Sequence, residues 1–276
     1  MAALSRILAL LFIGFSAISF GPQLTLLWIS NSSAGLSPLC TLFNLVLATE
    51  QLTLGLQGIL IEPHSFLHEQ LKAGLDDWLN VVQLTTVWIC HVFLFALVLW
   101  LPPISTKQKL ALSTAYLVYI TFSLAFVAYE TTLQEDDGSD WGRALFSGVH
   151  LIFVNLVVNA LAVLGLLTQI RATRSVVGPR NVSVFGLAVQ AVVFLVVGIS
   201  WIFRLRIPRG SFDVEPGLPQ HSLSIKLIVW YQTVGWATVG NLIFALIQGI
   251  LFVVIRRDAG PTGESGTETA PLLREL

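Results

Sequence analysis

Residues 22–37 read PQLTLLWISNSSAGLS, and residues 168–183 read TQIRATRSVVGPRNVS. In each stretch a glutamine, Gln23 or Gln169, stands second, near the end of an apolar run. A small-or-polar, aliphatic, serine triplet, Gly35-Leu36-Ser37 or Asn181-Val182-Ser183, then opens the next run. The two copies are 146 residues apart at both the glutamine and the serine. A second echo pairs Phe95-Ala96-Leu97 with Phe244-Ala245-Leu246, and Gln83 with Gln232, at a spacing of 149. Apolar sequence matches itself often by chance, so the weight falls on position: both echoes recur at the same place in the order of apolar runs.

Those runs dominate the chain. Of its 276 residues, 55% are hydrophobic and 11% charged, where a soluble domain carries roughly 25% charged residues. Mean hydropathy is +0.79, too high for a water-soluble globule of this size. A bilayer span needs about 20 apolar residues. Seven stretches qualify: Leu4–Ile29, Leu36–Ile61, Trp78–Leu101, Leu110–Tyr129, Arg143–Ile170, Val182–Phe203 and Ile225–Ile255. The first is too long for the apolar region of a signal peptide and lacks a small-residue cleavage site, so it is read as a retained span. Net charge is −1, which leaves no electrostatic footprint for nucleic acid. Cys40 and Cys90, the two cysteines, both sit in apolar runs, which excludes a disulfide scaffold and a cysteine-based zinc site. No cofactor is expected.

Seven spans in which 1–3 echo 5–7 predict an all-α membrane protein built as 3+1+3: two parallel three-helix repeats joined by a linker helix. The expected units are 1–101, the linker helix and acidic loop 102–142, the second repeat 143–256, and a disordered tail 257–276. Parallel repeats of this kind are one design for carriers, with the path between the halves. Lys107, Lys109, Arg171, Arg174, Arg180, Arg256 and Arg257 fall on one set of connections. Lys72, Arg143 and the acids Glu62, Glu69, Asp76, Asp77, Glu135, Asp136, Asp137 and Asp140 fall on the other. The positive-inside rule then puts the N-terminus outside or in a lumen and the C-terminus in the cytosol. The loop carrying Arg204, Arg206, Arg209 and Lys226, with Asp213 and Glu215, runs against that assignment.

With Phe20-Gly21-Pro22-Gln23, a short polar loop and Ser33-Ala34-Gly35-Leu36-Ser37, the chain resembles the PQ-loop/SWEET/cystinosin superfamily of seven-helix membrane proteins. The resemblance is specific over residues 20–51 and weaker over 165–190. It implies a small-solute carrier of the amino-acid or sugar class, working by alternating access. The second motif departs from the family pattern, having Thr168 where proline is usual, and the seventh span has no carboxylate, which proton-coupled members commonly carry there.

Proline within a span removes a backbone donor and kinks or opens the helix. Pro22, with Gly14 and Gly21, is therefore a candidate hinge in span one, and Gln23 a candidate latch. Thr168 cannot reproduce the break beside Gln169, so bending is expected to be asymmetric. Glu50 is the acid set deepest in an apolar stretch, and leaving it charged and unpaired in lipid costs several kcal/mol. Such a group serves as a proton-coupling site, a cation site or an anchor for a substrate amine, or stays neutral as interhelical glue. Asn155 and Asn159 share a face of span five, and Asn241 and Gln232 lie in span seven with Gln248. Together with Gln83 of span three, the expected path residues are Glu50, Asn155, Asn159, Asn241, Gln83 and Gln232. His91 and His150 are titratable candidates, and no converging metal ligands can be assembled. His64, His68 and Glu69 share an outer loop. Trp78, Trp141, Trp230 and Tyr129 read as interfacial anchors.

The tail holds Glu268 followed by Leu272-Leu273, a pattern similar to an acidic dileucine signal read by sorting adaptors. It points to a vacuolar, lysosomal or other endomembrane location, with the bilayer, a small solute and an adaptor as partners. Two other readings stay open. One is a non-transporting receptor, sorting factor or lipid-linked-sugar component that docks through Arg171, Arg174 and Arg180. The other is an intramembrane enzyme using Glu50 as a general acid, although no catalytic set accompanies Glu50 and the chain is read as a non-enzyme.

Overall fold

The computed structural model describes residues 2–60, 74–132, 140–176, 180–204, 227–228 and 230–258. The tail residues Glu268, Leu272 and Leu273 lie outside them, as do His64, His68, Glu69 and the loop charges Glu62, Lys72, Glu135, Asp136, Asp137, Arg206, Arg209, Asp213, Glu215 and Lys226. The side chains of Trp141 and Arg143 also fall outside the described set.

Every regular element among the described residues is helical: α1 (Ala2–Ser30), α2 (Pro38–Leu60), α3 (Leu75–Trp100), α4 (Thr106–Thr132), α5 (Asp140–Gly148), α6 (Asn155–Ser175), α7 (Val184–Arg204) and α8 (Trp236–Asp258). A π turn over Val149–Val154 joins α5 to α6, and another over Tyr231–Gly235 leads into α8. Lipid offers the backbone no hydrogen bonds, so apolar runs of this length close their own as helices. Among the described residues six helices are long and apolar enough to cross a membrane: Arg6–Ser30, Pro38–Leu60, Leu75–Trp100, Leu145–Ser175, Val184–Arg204 and Trp236–Asp258. The fourth expected span corresponds to α4, which is as long at 27 residues but richer in threonine, serine and tyrosine.

Polarity is turned outside in. Phe185, Ile18 and Phe93 are 70%, 69% and 64% exposed, while Glu50, His150 and Asn155 are 0% exposed. In water that distribution would leave a large apolar surface uncovered. With lipid as the outer solvent, the apolar faces are solvated and the polar groups find partners inside. The chain is a multi-pass membrane protein.

The sequence also ends and starts the helices at the two copies of the motif. Asn31 (φ 48°) and Gly35 (φ 87°) adopt left-handed backbone that turns the chain after α1. Ser37 caps α2 by accepting the Cys40 N–H at its Oγ, and Pro38 opens the helix, where a missing N–H costs nothing. Ser183, its counterpart 146 residues later, caps α7 by accepting the Gly186 N–H.

The helices pack in two groups. α3 packs on α1 and α2, and α8 packs on α6 and α7. Between the two groups, α1 meets α7 and α2 meets α6, while α4 lies on α2. Close approach at these seams depends on glycine. A Cβ on Gly165 of α6 would stand 3.3 Å from the Cys40 Cα of α2, and one on Gly186 of α7 would stand 3.4 Å from the Pro22 Cβ of α1. α1 stays helical through Pro22. Leu45, Phe95, Val158, Ala162 and Ile247 join α2, α3, α6 and α8 in the largest apolar cluster.

Three connections gather at one end of the bundle. The Ser33 N–H and Oγ both donate to the Pro102 carbonyl at 2.9 Å, and the Asn181 N–H donates to the Ala34 carbonyl at 3.0 Å. Arg180 stands at this basic end, and Lys109 there donates to the Trp100 carbonyl. At the opposite end Arg6 pairs with Asp76 at 3.1 Å. Exposed Trp28 and Trp100 mark the basic end, and exposed Trp78 and Tyr129 the other, as an aromatic belt requires.

Candidate functional site

The two motif glutamines exchange the same bonds across the seam. Gln23 Nε2 donates to the Asn181 carbonyl at 2.9 Å, and its Oε1 accepts the Ser183 N–H at 2.8 Å. Gln169 Nε2 donates to the Gly35 carbonyl at 2.7 Å, and its Oε1 accepts the Ser37 N–H at 2.8 Å. Gln23 of α1 thus holds the loop before α7, and Gln169 of α6 the loop before α2. An amide carries a donor and an acceptor side by side, which suits a loop carbonyl and the nearby N–H that a helix start leaves unpaired. Thr168, standing where the first copy has proline, accepts from Ser37 Oγ at 2.9 Å and donates to the Gly165 carbonyl at 2.8 Å.

Between these clamps lies a narrow cavity of about 50 Å³. Its lining pairs positions across the repeat spacing of 146: Gln23 with Gln169, Leu36 with Val182, Cys40 with Gly186, and Asn44 with Gln190. Thr41 of α2, Gln248 of α8 and His91 of α3 complete the polar surface, and Phe20 and Phe244 supply apolar walls. The His91 ring meets those two rings edge-on, with centroids at 4.9 and 5.1 Å. Asn44 Oδ1 and His91 Nδ1 are buried without a hydrogen-bond partner. Buried polar atoms normally find partners, so these two are suited to meet a polar occupant or water.

A second polar cluster lies apart from the cavity lining, on α2, α4 and the two π turns. Glu50 Oε2 accepts from the Tyr119 hydroxyl at 2.7 Å, and Oε1 lies 2.9 Å from His150 Nδ1. His150 sits in the first π turn, whose Asn155 N–H reaches the His150 carbonyl five residues back. Such turns rotate side chains out of helical register and occur often at functional sites. The Phe122 and Phe146 rings flank the imidazole at 5.3 and 4.0 Å. Asn155 Nδ2 donates to the Tyr231 hydroxyl at 2.9 Å, joining the two π turns, and Asn159 Nδ2 donates back to the Asn155 carbonyl at 2.7 Å. Gln57 donates to Ser147. Nearby, Trp88 Nε1 donates to the Tyr116 hydroxyl at 3.0 Å, and Tyr116 also bonds Thr49, which ties α3 and α4 to α2.

The six expected path residues divide between these places and others. Glu50, Asn155 and Asn159 gather in the second polar cluster, and half-buried Gln232 lies in the second π turn. Asn241 is turned onto its own helix, donating to the Ala237 carbonyl at 2.7 Å beside Gly198 of α7. Gln83 accepts from the Arg204 guanidinium, which lies over the Phe12 and Trp201 rings at 4.8 and 5.4 Å. None of the six lines the cavity described above. The residues that do include Asn44 and Gln190, which composition and depth alone did not single out. The spacing of 146 would have found them as a pair, since it already matched Gln23 to Gln169. Tyr119 and Tyr116 carried no signal, because tyrosines in an apolar run read as interfacial anchors. Among the described residues no three His, Cys, Asp or Glu side chains converge on a metal-sized site.

No protein-family model, curated protein or solved structure matched the chain in comparison.

Proposed function

We propose that the protein is a carrier of a small polar solute, built of two parallel three-helix units, α1–α3 and α6–α8, joined through α4 as a seventh span. At about 1.5 Å per residue, the 27 residues of α4 are long enough to cross a bilayer. The observation that carries the reading is the reciprocal pair of glutamine clamps beside a cavity whose lining pairs Asn44 with Gln190. That exchange is what related halves facing one another would produce, and it supports the likeness to the PQ-loop carriers. The basic end faces the cytosol on this reading, with the N-terminus on the other side, and the tail signal directs the protein to an endomembrane. Alternating access then consists of α1 and α7 separating while α2 and α6 stay together, or the reverse, with Pro22 as the weak point of α1.

Flux of radiolabelled neutral sugars and amino acids into liposomes containing the full chain tests the proposal. Asn44→Ala and Gln190→Ala remove cavity hydrogen bonds and are each expected to lower flux about tenfold or more, because a site built to bond a polar solute loses most when a partner is missing. Asn241→Ala, on a residue bonded within its own helix, is expected to leave flux within about twofold, since a single intrahelical side-chain bond is worth only about 1 kcal/mol. Absence of flux across the whole panel, with the protein folded, would contradict carriage.

A further inference from the structure

We propose that Glu50 and His150 form a binding site for one exchangeable proton, separate from the solute cavity. The geometry carries this. Both side chains are fully buried, 2.9 Å apart, and bridge α2 to the π turn before α6. His150 uses Nδ1 toward Glu50, and its Nε2 is buried without a partner. Tyr119 already donates to the other carboxylate oxygen.

Charge counting decides what this arrangement binds. A carboxylate beside a neutral imidazole leaves one net negative charge in a lipid-depth interior, and the groups facing it do not cancel that charge. On α4 these are the Tyr119 and Tyr116 hydroxyls, on the second π turn Tyr231, and on α3 the Trp88 indole, all of them neutral donors. Among the described residues no lysine or arginine bonds to the pair. Adding one proton makes the pair neutral, either as imidazolium with carboxylate or as imidazole with carboxylic acid. The proton enters at Nε2 or at the carboxyl, no covalent bond to another group is broken, and it leaves by the same atoms. Nε2 is the position left open for it. Of the other unpartnered atoms nearby, Gln57 Oε1 and Asn159 Oδ1 are acceptors too, and Ser123 Oγ can accept as well as donate. Such a surface favours a proton, or water delivering one, over an anion.

Proton loading changes what holds the helices together. In the loaded state α2 and the first π turn share a neutral, strongly hydrogen-bonded pair. In the unloaded state they carry an uncompensated charge that a wetter arrangement would relieve. Asn44 and Glu50 lie on the same helix, so movement of α2 at the pair reaches the cavity. This consequence, coupling of proton to solute, rests on the carrier reading, whereas proton binding does not.

Infrared difference spectroscopy of the full chain in liposomes, stepped from mildly alkaline to mildly acidic pH with no solute present, separates the two. The expected result, after subtracting the signal of the other four histidines as seen in the Glu50→Gln/His150→Gln double variant, is one coupled titration of about one proton, with carboxyl and imidazole bands changing together. Glu50→Gln should abolish it. His150→Gln should abolish the imidazole band and uncouple the carboxyl from the remaining signal, and Tyr119→Phe should retain a coupled titration. A carboxyl band that is unchanged over the whole range, or that titrates identically in His150→Gln, would overturn the proposal. If either glutamine variant fails to fold, the other still decides. Because no solute is used, loss of the titration counts against the proton site alone and absence of flux against the carrier alone.

Discussion

Replacing His150 with leucine is expected to destabilise the protein by about 3–5 kcal/mol, the usual cost of stripping a buried carboxylate of its partner. Glu50, 0% exposed, would keep only the Tyr119 hydroxyl. Glu50→Leu is expected to cost less, about 1–3 kcal/mol, because it leaves a neutral imidazole N–H and a hydroxyl unpaired, not a charge. The double replacement Glu50→Leu/His150→Leu removes both members and is expected to be less damaging than the sum of the singles by about 2 kcal/mol or more. Unfolding of the four proteins in one detergent measures this. Additive single costs would mean that the 2.9 Å contact contributes nothing as a pair.

The second large effect concerns the glutamine clamps. Gln23→Ala strips the Asn181 carbonyl and the Ser183 N–H of their partner. Gln169→Ala does the same to the Ser37 N–H, although Thr173 Oγ1 still donates to the Gly35 carbonyl at 3.2 Å. At about 1–3 kcal/mol for each buried group left unpaired, either change is expected to cost about 2–4 kcal/mol. Two differences offset each other here: the Gln23 bonds are partly reached by solvent, while those of Gln169 are buried but have Thr173 in reserve. Comparable losses from the two variants are therefore the signature of related halves. A severe loss from one and none from the other would show that the two copies of the motif do different jobs.

How far the sequence could be read follows from which signals are local. The six membrane-crossing helices stood out because a bilayer imposes length and apolarity directly on the chain. The triplets ending in Ser37 and Ser183 were legible as the openings of the next apolar runs, and both serines cap the helices that start there. The polar site was harder. An intramembrane amide looks the same in sequence whether it lines a path or returns to its own helix, and Asn241 does the latter. Glu50 was legible as an unusual burial, but its partner was not. His150 comes from a distant span and is aimed by a π turn, which departs from the 3.6-residue period that face assignments rest on. Gln83 and Arg204 illustrate the same limit from the other side. The arginine read as a loop charge against the expected orientation, yet it folds back over Phe12 and Trp201 to reach α3. Gln23 and Gln169 were legible as a motif, but their work as crossed clamps depends on α1 meeting α7 and α2 meeting α6.

Cys40 lines the cavity on α2, and Cys90 on α3 is the other cysteine in the chain. With Cys90 replaced by serine, a membrane-impermeant thiol reagent applied separately to each face of sealed vesicles asks whether the space between the halves opens to water. The expected result is labelling of Cys40 from both faces, at rates that a transported solute slows. Cys40 unreactive from both faces in a folded, reconstituted protein would contradict a carrier and leave a sealed bundle in its place.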